Sequence, residues 1–157
     1  MYTKTIRFMK NKMGFSLVEV LVFVTILGLF FVAAISVTTF SLKNMKVNEH
    51  KIIATHFAEE GLEWINSEKE NDWETFVLKD TSSGSGTLYC INSLDWNTAH
   101  LCGENYILGT PPLFKREATL TNSGNPTSQI NIKVVVSWIE GNQTMNVQIK
   151  TVVNLWE

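Results

Sequence analysis

The sequence predicts an α+β protein in which one long N-terminal helix precedes a small antiparallel β-sheet of about three or four strands. Three observations carry this. Val20 to Leu42 contains no charged residue, a run of 23. The segment after it is amphipathic with helical spacing. The last third of the chain is rich in β-branched residues, with Glu140-Gly141-Asn142-Gln143 placed between two such stretches like a hairpin turn.

The first fourteen residues carry Lys4, Arg7, Lys10 and Lys12 and no acid. Without these four positive charges, the formal charge of the 157-residue chain changes from −2 to −6. A mildly acidic remainder is a poor match for unspecific binding to nucleic acid, which depends on neutralising phosphates. The uncharged run is long enough to cross a hydrocarbon core, which takes about 20 helical residues. With the basic flank on the cytoplasmic side, the C-terminal part is expected outside the cytoplasm. An ordinary signal peptide is the competing reading, with Ala34-Ile35-Ser36 as its small-residue cleavage site. Two features oppose it. The apolar run exceeds the usual h-region, and Glu19 sits at its start, where a carboxylate at membrane depth costs about 2.5–3.5 kcal/mol unless it has a partner.

Lys12-Met13-Gly14-Phe15-Ser16-Leu17-Val18-Glu19-Val20-Leu21 resembles the cleavage and methylation site of type IV prepilins and type II secretion pseudopilins. The resemblance implies a pilin-like fold with the first half of the helix transmembrane. It also implies that prepilin peptidase cuts after Gly14 and methylates the amine of Phe15. Glu19, the fifth mature residue, would then pair with the Phe15 amine of a neighbouring subunit, so that two charges costly in lipid offset each other. Within one chain, a carboxylate one turn from the new N-terminus also favours the positive end of the helix. The implied partners are the peptidase, other pilin or pseudopilin subunits, the membrane and an inner-membrane assembly platform. Many relatives carry a proline near mid-helix, whereas here Ser36 occupies that region, Gly28 is the one strong helix-weakening residue of the span, and the first proline is Pro111.

Beyond Leu42, Val47, Ala54, Phe57, Ala58, Gly61, Leu62 and Ile65 share one helical face. The helix is expected from about Phe15 to about Glu70. Ala58-Glu59-Glu60-Gly61 resembles a stretch of "V" minor pilins and "I" pseudopilins; His56, Glu59 and Glu60 are otherwise read as a solvated face. The expected organisation is a cleaved leader (1–14), a transmembrane assembly helix (15–42) and an extracytoplasmic α+β domain (43–157).

Ser82-Ser83-Gly84-Ser85-Gly86 reads as a flexible linker or loop. Leu88–Ile91 and Tyr106–Leu108 are short strand candidates, and Glu117–Thr121, Ile130–Ile139 and Met145–Val153 stronger ones. Cys90 and Cys102 favour a disulfide outside the cytoplasm; the alternative, zinc with His100 as a third ligand, has poor spacing. Trp64, Trp73, Trp96, Trp138 and Trp156 are expected in or beside the core, with interface anchoring as the alternative, and Asn142-Gln143-Thr144 fits a glycosylation sequon in a polar turn. Neither a catalytic constellation nor a cofactor motif is legible. The expected function is therefore non-enzymatic: a structural, minor subunit of a type IV pilus or related filament. A pseudopilin of a type II secretion or DNA-uptake system is the nearest alternative, and a membrane-tethered extracytoplasmic binding module the one outside the family.

Overall fold

The computed structural model describes residues 14–82, 84–97, 99–123 and 129–154. The leader before Gly14, Ser83 of the Ser/Gly stretch and Trp156 lie outside the described residues. Helix α1 (Leu17–Asn71) and the one-turn helix α2 (Trp73–Val77) are followed by strands β1 (Thr87–Cys90), β2 (Phe114–Ser123), β3 (Gln129–Glu140) and β4 (Gln143–Asn154). The fold is α+β, a long helix and a four-stranded antiparallel sheet in sequential order, as the sequence predicts. The chain divides into two units, 1–44 and 45–157.

In the first unit every residue from 14 to 44 is exposed. Helix α1 is long and apolar enough here to cross a membrane. Its hydroxyl side chains satisfy themselves locally: Thr25 donates to Val22 O, Ser36 to Val32 O, Thr38 to Ala34 O and Thr39 to Ile35 O, all at 2.8–2.9 Å. Polar groups bonded to the helix's own carbonyls remove the main obstacle to placing them in hydrocarbon. The helix runs through Gly28 without interruption.

In the second unit α1 buries Ala54, Ala58, Gly61 and Ile65, the core of the stripe read from the sequence, with Phe57 and Leu62 half-buried beside them. Opposite this face the inward residues of the strands alternate strictly. Phe114, Ala118 and Leu120 of β2 and Ile130, Ile132, Val134, Val136 and Trp138 of β3 are all at most 2% exposed. Burying each large side chain contributes about 1.5–3 kcal/mol. The β3–β4 turn is Gly141-Asn142, and Gly141 has φ 60°, the left-handed conformation that glycine adopts at the first position of a II′ turn.

One expectation is corrected. Tyr106–Leu108 is not a strand: Leu108 makes one isolated bridge to Phe114. Pro111 and Pro112 lack N–H donors just beyond it, Gly109 has φ 90°, and Asn92 Nδ2 captures Asn105 O at 3.0 Å, so no ladder can extend. The described residues of the Ser/Gly stretch, expected as a linker or loop, form a loop that is tied at its two ends. Ser82 bonds Asp80, and Gly86 (φ 85°) lies so close to Thr121 and Thr119 of β2 that a Cβ could not be added. Helix α1 begins at Leu17, two residues after the expected start, with Val20 N donating to Ser16 O at 3.2 Å as its first bond.

Candidate functional site

The N-terminal residues singled out by the sequence form a compact constellation. Gly14 lies outside the helix, with nothing within 4 Å of where its Cβ would be. Phe15 is 83% exposed and lies two residues before the helix, while Glu19 lies in the first helical turn. Phe15, Glu19, Val20 and Phe23 line one shallow apolar hollow. Glu19 makes no hydrogen bond or ion pair among the described residues. Its carboxylate thus has no partner among the described residues and sits at the start of the exposed apolar stretch of α1. Cutting the peptide bond after Gly14 would place an ammonium on Phe15, one turn from Glu19.

The second unit holds a feature that the sequence reading missed. Arg116 alternates inward on β2 between Phe114 and Ala118 and is only 1% exposed. Its Nε donates to Ile91 O (3.1 Å), and its Nη1 to Phe57 O (2.8 Å) and Glu60 Oε2 (2.7 Å). Its backbone N–H donates to Asn92 Oδ1 at 2.7 Å. Burial pushes the guanidinium below its ordinary range, and the half-exposed Glu60 carboxylate opposes that shift. Glu60 is therefore more than a member of a solvated face: it compensates a buried cation. Gly61 leaves the room, because a Cβ there would stand 2.7 Å from Arg116 Cδ. Glu60 and Gly61 thus have one shared explanation, the passage of an arginine between helix and sheet. The available signal was an arginine two residues from Phe114 and Ala118 in an alternating strand.

Cys90 and Cys102 form a disulfide, S–S 2.06 Å, so the sulfurs are not free for zinc, and His100 faces Leu101 O. The loop they close returns Trp96 to the core edge. Trp96 Nε1 donates to Glu68 Oε2 at 2.8 Å, and its ring lies against Trp64 (4.6 Å) and Tyr89 (5.0 Å). Trp138 is buried, and Trp64, Trp73 and Trp96 pack half-buried against the core. These four serve the fold. Among the described residues no group of three or more His, Cys, Asp or Glu is gathered as a metal would require.

Comparison with known families adds one match: residues 9–35 fit the family described as Prokaryotic N-terminal methylation motif. No curated protein and no solved structure matches the chain.

Proposed function

From a chain that carries the N-terminal methylation motif, the signature of type IV pilins and pseudopilins, we propose a structural subunit of a type IV pilus or related filament. It is processed by prepilin peptidase after Gly14 and methylated on Phe15. The peptidase acts on this chain, and the chain's own work is assembly rather than catalysis. Before assembly, residues 15–42 anchor it in the cytoplasmic membrane and residues 43–157 lie outside. The disulfide fits an oxidising compartment. Assembly, through the membrane platform, moves the helix from lipid into contact with other subunits. Glu19 supplies the charge that meets the Phe15 amine of a neighbour, in a drier setting where the attraction is stronger than at the membrane surface. Ala58-Glu59-Glu60-Gly61 supports a minor, "V" or "I" type position.

The observation that carries this reading is the placement of Gly14, Phe15 and Glu19 at the open start of an exposed apolar helix inside the matched motif. Mass spectrometry of the chain from its native membrane tests it. The expected N-terminus is N-methyl-Phe15, and replacing Gly14 by a bulky residue should block the cut. An N-terminus at or near Val37 would establish an ordinary signal peptide instead.

A further inference from the structure

β4 is the long edge of the sheet, paired along Gln143–Asn154 on the β3 side alone. The two-residue turn sets Glu140 opposite Gln143, so Gln143 and every second residue after it bond to β3. The backbone groups of Thr144, Asn146, Gln148, Lys150 and Val152 then point away from the sheet, and none meets a backbone partner among the described residues. Edges of this length are normally guarded by proline, bulges or several charges. β4 has no proline, pairs with β3 one for one, and carries a single charge, Lys150.

Two further observations point outward from the same strand. On the inner face Met145, Val147 and Ile149 are half-buried, while their partners Trp138, Val136 and Val134 on β3 are 1%, 0% and 0% exposed. Val153, near the end of β4, is buried at 6% exposure, so the cover is incomplete only along the part of β4 nearer the turn. On the outer face Lys133 stands directly opposite Lys150, and both line a groove with Thr119, Asn131 and Val152. Like charges in this arrangement destabilise a sheet. Neither lysine has an ion pair among the described residues, and the diagonal carboxylate, Glu117, is taken by Cys102 N (2.9 Å) and Lys115 (3.7 Å).

We infer that β4 is a docking edge for an extended strand of a different subunit, one that carries a carboxylate opposite Lys150 and apolar side chains that cover Met145, Val147 and Ile149. The main chain of that strand would satisfy the edge, and its alternate side chains would set specificity. Charge decides against a second copy: among the described residues the strand acids, Glu117 and Glu140, lie in β2 and β3, the inner strands of the sheet. The inference rests on the filament reading and adds the chemistry of a neighbour.

Two variants of the full chain, expressed in its host, test it. Gln148→Pro removes an outward N–H and blocks pairing while sparing the bonds to β3, a position where edge strands accept proline. Lys150→Glu reverses the charge, with Lys150→Arg as the control. Each is compared with wild type in sheared filament fractions at equal membrane levels, after cleavage behind Gly14 is verified. Both variants should lose about ten-fold in incorporation while Lys150→Arg stays within about two-fold. Should Gln148→Pro misfold by thermal unfolding in detergent, Lys150→Glu decides alone. Incorporation of Lys150→Glu at the wild-type level would overturn the docking edge. So would binding of a fluorescent oligonucleotide of about 20 nucleotides that is lost in both Lys133→Gln and Lys150→Gln, which would make the lysine pair a nucleic-acid contact. A wild type that is neither cut nor assembled would instead refute the filament reading itself.

Discussion

Gly61→Ala reverses a familiar expectation about helices. In the interior of an exposed helix the change gains about 0.5–1 kcal/mol, because alanine has less chain entropy to lose. Here the new methyl would sit 2.7 Å from Arg116 Cδ and 3.3 Å from both Arg116 Nε and Ile91 Cδ1. A flexible arginine would swing aside at little cost. This one is held at Nε and Nη1 by Ile91 O, Phe57 O and Glu60, so yielding means losing hydrogen bonds of a buried cation. Overpacking costs about 1–3 kcal/mol, and one lost charged hydrogen bond about 1.5–3 kcal/mol. The side chain either stays and is overpacked or yields and loses a bond, so one of these costs applies. Set against the helix gain, the net destabilisation is up to about 2 kcal/mol, a fall in Tm of up to roughly 8 °C for a unit of this size. Thermal unfolding followed by near-UV circular dichroism on the full chain in detergent measures it. In an Arg116→Met background the same Gly61→Ala change should cost nothing or stabilise by about 0.5–1 kcal/mol. Equal or higher Tm for the single variant would refute the account of Gly61.

Other perturbations reach other parts of the fold. Replacing Cys90 and Cys102 by serine opens a 12-residue separation and should cost about 3 kcal/mol on the loop-entropy model, read as a lower denaturation midpoint; an unchanged midpoint would contradict it. Burial raises the Asp80 carboxyl, but donors from Asn122 N, Ser82 and Thr87 outweigh it and hold the group below its ordinary 3.8. Because the folded state binds the proton less readily, this contribution is full above the unfolded value and is lost as pH falls through 3.8 and below. Asp80→Asn should therefore be less stable than wild type at neutral pH and lose less stability on acidification; parallel acid curves would refute the assignment.

Legibility in the sequence followed the kind of signal each part uses. The helix and β2 to β4 announce themselves through periodicity: a 23-residue uncharged run, the Ala54–Ile65 stripe, and alternation across a Gly-containing turn. The motif residues were legible because their chemistry is local, a glycine, a phenylalanine and a carboxylate within six positions. What stayed hidden depends on distant partners. Arg116 looks like a surface residue until β2 is extended back to Phe114, and Glu60 looks solvated until Arg116 reaches it. Tyr106–Leu108 has strand composition, yet Asn92 takes the carbonyl of Asn105 just before it and prolines follow just after it. The edge character of β4 is likewise invisible in its own residues, since only the strand order shows that among the described strands it pairs with β3 alone.

The proposed assembly role turns on Glu19, and its most direct measurement is the incorporation of Glu19→Ala. The quantity is the mutant-to-wild-type ratio in sheared filament fractions at equal membrane levels. The variant should still be cut after Gly14, and its soluble unit should unfold at the wild-type temperature, because Glu19 makes no contact among the described residues that the fold would miss. The ratio should fall well below one, leaving only weak incorporation through apolar contacts along Val20–Phe40. A ratio near one, with normal cleavage, would contradict the pairing of Glu19 with a neighbour's amine.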